Sequence, residues 1–212
     1  AERVFDLVWM HSQVLLHQIG VRESDAQRFG RLAGSLLFAN ASRRVGSGAL
    51  ARNRRGQSGL WSYGISGDLP LVLVRITDLV NLDLARQAIQ AHGYWRSKGL
   101  KCDLVIWAEG YAGYRQTLTD AVIGLVQASA EARALDQPGG IFVRGIEQVP
   151  EEDRLLFLVM ARIVLSDRYG TLTEQVERRA EHEADWPEFL DPPRDEAPDE
   201  SEMALPPREL DF

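Results

Sequence analysis

Leu69-Pro70-Leu71-Val72-Leu73-Val74-Arg75-Ile76 is a short, almost unbroken apolar run that follows directly on a proline. It is too short for a typical helix, and it leaves no polar face for water. It therefore reads as a strand buried on both sides, the pattern of a parallel sheet covered by helices. Working outward, Asp78 precedes a helical pattern carrying Leu84, Ala85, Ala88, Ile89, His92 and Trp95, closed by Gly99. Cys102 to Trp107 repeats the buried-strand pattern. Tyr114, Leu118, Ala121, Val122 and Leu125 mark the next helix, ending near Asp136 to Gly140, and Ile141-Phe142-Val143 is a third apolar run. Pro150-Glu151-Glu152 opens a last helix, with proline in the first turn and acids at the positive end of the dipole. Leu155, Leu156, Val159, Met160, Ile163 and Val164 form its apolar face.

Strands separated by helices need crossovers, and crossovers make the sheet parallel. The expected fold class is α/β: a small three-stranded parallel sheet of order 2-1-3, with strands at Leu69–Ile76, Cys102–Trp107 and Gly140–Val143 and helices flanking it. Ahead of it, Phe5, Val8, Trp9, Leu15 and Leu16 give one apolar stripe, broken at Gly20. Phe29, Leu32, Ala33, Leu36 and Leu37 give a second, so residues 1–42 read as a helical hairpin. Residues 43–180 form the α/β module. Residues 181–212 are an acidic, proline-rich linker, with Pro187, Pro192, Pro193, Pro198, Pro206 and Pro207 crowded there against three prolines in the rest. Such a composition buries too little area to offset chain ordering.

At 212 residues and 45% apolar composition the chain can bury a sizeable core. Its net charge of −7 is unevenly spread. From Ala180 onward 12 acids face only Arg194 and Arg208, a balance of −10, while the preceding 179 residues hold 19 acids and 22 bases, a balance of +3. The single cysteine, Cys102, rules out an internal disulfide and a cysteine-based zinc site. No apolar run approaches the ~18 residues of a membrane span. Ala1-Glu2-Arg3-Val4-Phe5 carries neither an initiator methionine nor a signal pattern and reads as the start of an excised piece.

Candidate chemistry is sparse. Trp61-Ser62-Tyr63-Gly64-Ile65-Ser66-Gly67-Asp68-Leu69-Pro70 has glycines three apart but precedes a strand, whereas a phosphate loop follows one. It reads as a tight turn in which Gly64 and Gly67 supply positive φ. Arg43, Arg44, Arg52, Arg54 and Arg55 form the one basic cluster, with no aromatic interleaving for nucleic acid; a solvated loop packed on an acidic neighbour is the plainer reading. The four histidines lack metal-ligand spacing, and His92 falls on the apolar face of its helix as a core residue. Binding groups in a parallel sheet gather at the strand carboxyl ends. Those ends offer Arg75 with Asp78, then Glu109 with Tyr111, Tyr114 and Arg115, then Arg144. These side chains suit sugar hydroxyls and ring faces, and equally an interdomain salt-bridge network. The candidate binding or docking residues are thus Arg54, Arg55, Trp61, Tyr63, Asp68, Arg75, Glu109, Tyr114, Arg115 and Arg144. No catalytic residue, metal ligand or cofactor site emerges from spacing.

The string Arg54-Arg55-Gly56-Gln57-Ser58-Gly59-Leu60-Trp61-Ser62-Tyr63-Gly64-Ile65-Ser66-Gly67-Asp68-Leu69-Pro70 resembles a segment of the bacterial cyclic β-1,2-glucan synthases. Ala91-His92-Gly93-Tyr94-Trp95-Arg96, Asp103-Leu104-Val105-Ile106, Gly113-Tyr114-Arg115-Gln116, Gly139 to Arg144 and Ala161 to Asp167 extend the resemblance. It implies a fragment of a very large inner-membrane enzyme. Its N-terminal part would use UDP-glucose to build β-1,2-glucan, and its cellobiose-phosphorylase-like C-terminal half would trim chains with inorganic phosphate. The piece would lie in that second half, on the cytoplasmic side of the membrane and not inserted in it. It would be a non-catalytic interdomain module, since the motifs of the catalytic barrel are absent. The partners implied are the remaining domains of the same polypeptide and β-1,2-glucan, with no nucleic acid and no cofactor. The family pattern after the second strand is Asn-Glu-Asp, where this chain has Ala108-Glu109-Gly110; only the glutamate is kept. The alternative is an independent α/β carbohydrate-binding module that uses the strand carboxyl ends.

Overall fold

The computed structural model describes residues 10, 12–38, 40–110, 113 and 115–183. The proline-rich stretch beyond Glu183, the start of the first helical stripe and Tyr114 lie outside the described residues. Residues 12–18 are helical, and α1 (Glu23–Leu37) and the short α2 (Ser47–Arg52) follow. The body then alternates: β1 (Leu71–Ile76), α3 (Leu82–Ser97), β2 (Asp103–Ala108), α4 (Arg115–Gln127), β3 (Ile141–Gly145), α5 (Glu151–Met160), β4 (Ala161–Ser166) and α6 (Leu172–Glu183).

All strand pairings are parallel. The expectation of three strands in the order 2-1-3, however, is wrong in both number and order. The sheet has four strands in the order β3-β2-β1-β4. The fourth strand lies where the sequence reads as the end of the last helix. Ile163 and Val164 fall three and four residues beyond Met160 and so continue its apolar stripe. The helix stops at Met160 and the chain enters β4 at the next residue, with no glycine or proline between. β4 takes the free edge of β1, with Val74 standing opposite Ile106 on one side and Leu165 on the other. The third strand accordingly pairs with β2, not with β1.

This order explains the layering. The steps β1 to β2 and β2 to β3 move the same way, and their crossover helices α3 and α4 share one face. The step from β3 back to β4 reverses direction, and a crossover of unchanged hand must then use the opposite face. α5 is found there. On the first face Val72, Val74, Leu104, Ile106, Ile141 and Ile163 pack with Phe29, Leu32 and Leu36 of α1 and with α3, α4 and α6. On the second face Leu71, Leu73, Val105, Trp107 and Phe142 meet Leu156 and Phe157 of α5, and Leu60 and Ile65.

Leu60 and Ile65 belong to the Gly56–Pro70 string, whose role is to roof this second face. Gln57–Tyr63 forms a tight 3-10 turn that ends at Gly64, and Gly64 and Gly67 have φ of 77° and 79°. The Gln57 amide donates to the Ser66 carbonyl at 2.8 Å and to the Asp68 carboxylate at 2.9 Å, tying the turn into one unit. The segment is a turn that delivers β1, as its position before a strand implies.

Candidate functional site

In an open α/β sheet the default binding crevice lies beyond the strand carboxyl ends where strand order reverses, which is between β1 and β4 here. That crevice is closed by the chain's own groups. The Asp167 carboxylate accepts hydrogen bonds from the Thr77 backbone N–H (2.7 Å), the Thr77 hydroxyl (2.9 Å) and the Asn81 amide (3.1 Å). A carboxylate thus sits on the first turn after β1, where a nucleotide phosphate would lie. The Gln175 side chain, from α6, further clamps both backbone groups of Ser166 at the end of β4.

The open cleft lies beside it, over the ends of β1 and β2. It encloses about 560 Å³ and is lined by Arg75, Trp107, Glu109, Gly110, Arg115, Ile146, Arg154 and Leu158. Arg75 reaches it because it is the first polar residue on the β1 face that carries Leu71 and Leu73. Its Nε and Nη2 donate to the two Glu109 oxygens at 2.6 and 3.0 Å, a bidentate pair. The hydrogen bond to Glu109 raises the Arg75 pKa, and burial opposes it without reversing it. Arg115 opens α4 and donates Nε–H to the Gly110 carbonyl at 3.0 Å. Arg154 caps two carbonyls, of Val149 and Ile146, each at 2.7 Å.

Three of the residues expected at the strand ends, Arg75, Glu109 and Arg115, therefore come together. Arg144 does not join them. It turns to the Tyr63 carbonyl (2.9 Å) and Asp136 (2.8 Å) and lies 5.6 Å from the Phe142 ring. The others belong to the roof. Tyr63 donates its hydroxyl to Asp153 at 2.8 Å, and burial together with that bond pushes its pKa up to about 12. Trp61 is 65% exposed and donates to the Ser66 carbonyl, while Asp68 accepts from Gln57. Arg55 pairs with Glu152 and Asp153 of α5 at 3.3 and 3.2 Å, and with Arg52 and Arg54 it lines a separate depression. Arg43 is buried, and Arg44 donates to the Val159 carbonyl. The arginine cluster is thus split: Arg43 is buried, Arg44 is engaged by a backbone carbonyl, and Arg52, Arg54 and Arg55 stay at the surface. Trp107, Ile146, Arg154 and Leu158 were not expected at the site. Arg154 carries no sequence signal, since it falls between apolar positions of α5 as any solvated arginine would.

His92 is a core residue, as its place on the apolar face implies. It is 1% exposed, with Nδ1 2.8 Å from a Glu131 oxygen and Nε2 3.2 and 3.1 Å from the carbonyls of Cys102 and Gly139. Arg96 donates to the other Glu131 oxygen at 2.9 Å, and the Trp95 indole donates to the Phe29 carbonyl at 2.8 Å, fastening α3 to α1. Three members of the Ala91–Arg96 motif are thereby spent on internal bonds. Among the described residues no cluster of His, Cys, Asp or Glu suits a metal ion, and no helix is long and apolar enough to cross a membrane.

Comparison with known proteins agrees with these motifs. The chain is similar to a segment of a cyclic glucan synthase. The cyclic β-(1,2)-glucan synthase NdvB of Rhizobium meliloti is 28% identical to it over 212 residues, covering 96% of this chain. The chain spans 8% of the length of that relative. No family model matches the chain.

Proposed function

We propose that this chain is a non-catalytic interdomain module of a cyclic β-1,2-glucan synthase, a membrane enzyme combining UDP-glucose-dependent transfer with a phosphorylase-like half. One observation carries the reading: two of the segments through which the chain resembles the synthases are engaged in holding the fold. The Gly56–Pro70 string roofs the second face of the sheet, and His92, Trp95 and Arg96 make buried or half-buried internal bonds. Similarity that runs along 96% of the chain yet covers 8% of the relative supports a part of a longer polypeptide. The remaining domains of that polypeptide are the partners, and the module stands on the cytoplasmic side of the membrane.

The open cleft favours a second reading, a carbohydrate-binding module, and the two separate in one titration. β-1,2-glucan oligomers are added to the 212-residue chain while amide NMR shifts and tryptophan fluorescence are followed. The interdomain reading expects no response up to millimolar glucan. Saturable shifts confined to Arg75, Glu109, Arg115 and their neighbours would establish the second reading in its place.

A further inference from the structure

The cleft over β1 and β2 has a one-sided inventory of hydrogen-bonding groups. Each acceptor already holds a guanidinium: Glu109 takes two N–H groups of Arg75, the Gly110 carbonyl takes Arg115, and the Ile146 carbonyl takes Arg154. Donors are left over. A guanidinium carries five N–H groups; Arg115 uses one of them and Arg154 two. Charge points the same way, since three guanidinium groups against one carboxylate leave +2.

A neutral sugar makes no use of the +2 charge of this lining. A phosphoryl group brings acceptors only, with a charge near −2 above its second pKa. The cleft, at about 560 Å³, is far larger than a bare phosphate and falls within the range of small-molecule sites, roughly 300–1,000 Å³. Ile146 and Leu158 add an apolar wall for the rest of the ligand. We propose that this cleft binds a phosphorylated small molecule of monosaccharide size, its phosphoryl oxygens held by Arg115 and Arg154. The Arg75–Glu109 pair fixes the opposite wall. The site is independent of whether the chain acts as an interdomain module.

Calorimetric titration of the 212-residue chain with glucose 6-phosphate, inorganic phosphate and glucose tests this. Saturable binding of glucose 6-phosphate is expected, with inorganic phosphate weaker and glucose silent. Arg115→Gln should weaken glucose 6-phosphate about tenfold or more, the scale of a lost charge-assisted hydrogen bond. It should lower the melting temperature only slightly, because Arg115 is exposed and gives up one hydrogen bond, to the Gly110 carbonyl. Arg154→Gln should weaken binding similarly, and its melting temperature separates that effect from the loss of its two carbonyl contacts. No saturable binding of glucose 6-phosphate, equal binding of glucose, or unchanged affinity in a folded Arg115→Gln chain would overturn the site. Inorganic phosphate binding as tightly as glucose 6-phosphate would overturn the assignment to a monosaccharide-sized ligand.

Discussion

Glu131→Ala is expected to lower the unfolding free energy by about 1–3 kcal/mol, the usual cost of leaving a buried hydrogen-bonding group without its partner. Glu131 is 4% exposed, on the turn that follows α4. One Glu131 oxygen faces Nδ1 of the buried His92 ring and the other takes the Arg96 guanidinium. Alanine at 131 leaves the buried imidazole without its carboxylate partner and takes away the anchor of Arg96. Glu131→Gln keeps an acceptor without the charge and should cost less. The pH dependence has a definite sign. Burial pushes the Glu131 pKa up, but the His92 hydrogen bond and charge and the Arg96 guanidinium outweigh it and hold the carboxyl below its ordinary value of 4.5. A carboxyl with a depressed folded-state pKa contributes its full stability above the unfolded value and loses it as pH falls through the folded one. Asp103, pushed up chiefly by burial, acts in the opposite sense. The readout is therefore the difference between wild type and Glu131→Gln in urea midpoints measured downward from pH 6. That difference should be constant above about pH 5 and shrink below pH 4.5. A difference independent of pH would show that the pair contributes shape and not charge.

Phe157→Ala should cost a further 3–5 kcal/mol, the range for truncating a buried aromatic side chain. For a chain of this size that corresponds to a melting-temperature loss on the order of 10 °C. Phe157 is fully buried at the centre of the second face. It meets Tyr63 of the roof edge-on at 5.1 Å and 70°, and Trp107 of β2 at 5.6 Å and 74°. It is thus the side chain through which α5, the Gly56–Pro70 segment and the sheet are joined. A loss below about 1 kcal/mol, by contrast, would mean that the layer collapses to fill the space and that these elements are only loosely docked.

The parallel sheet was legible in sequence wherever an apolar run stood between clear breaks. Pro70 precedes β1 and Gly140 precedes β3, and helical periodicity separates the three runs. β4 was not legible, because nothing punctuates Met160-Ala161 and Ile163 and Val164 fit a helical stripe as well as a strand. Short apolar runs carry that ambiguity. With β3 paired to β2, β1 is left with an open edge, and Ala161–Ser166 covers it. Strand order was not legible either, since no residue of β3 marks which neighbour it takes.

The site was legible in part for a similar reason. Arg75, Glu109 and Arg115 follow or close strand runs, and topology alone places such residues at the carboxyl rim. Arg144 satisfies the same rule, yet its side chain shares a face with Phe142 and is drawn to the Tyr63 carbonyl. Trp107 reaches the cleft because the β1–β2 register sets it opposite Arg75, and Arg154 reaches it only through the packing of α5 across the sheet, which depends on the strand order. The His92–Glu131 pair spans 39 residues of sequence, and no local pattern joins its ends.

A non-catalytic interdomain module, as proposed, carries out neither reaction of a glucan-synthesising polypeptide by itself. The most direct test assays the purified 212-residue chain for glucan formation from UDP-glucose, and for release of glucose 1-phosphate from β-1,2-glucan with inorganic phosphate. The folded chain is predicted to give neither product. Either product, formed by the chain alone and abolished by a substitution in it, would contradict the account.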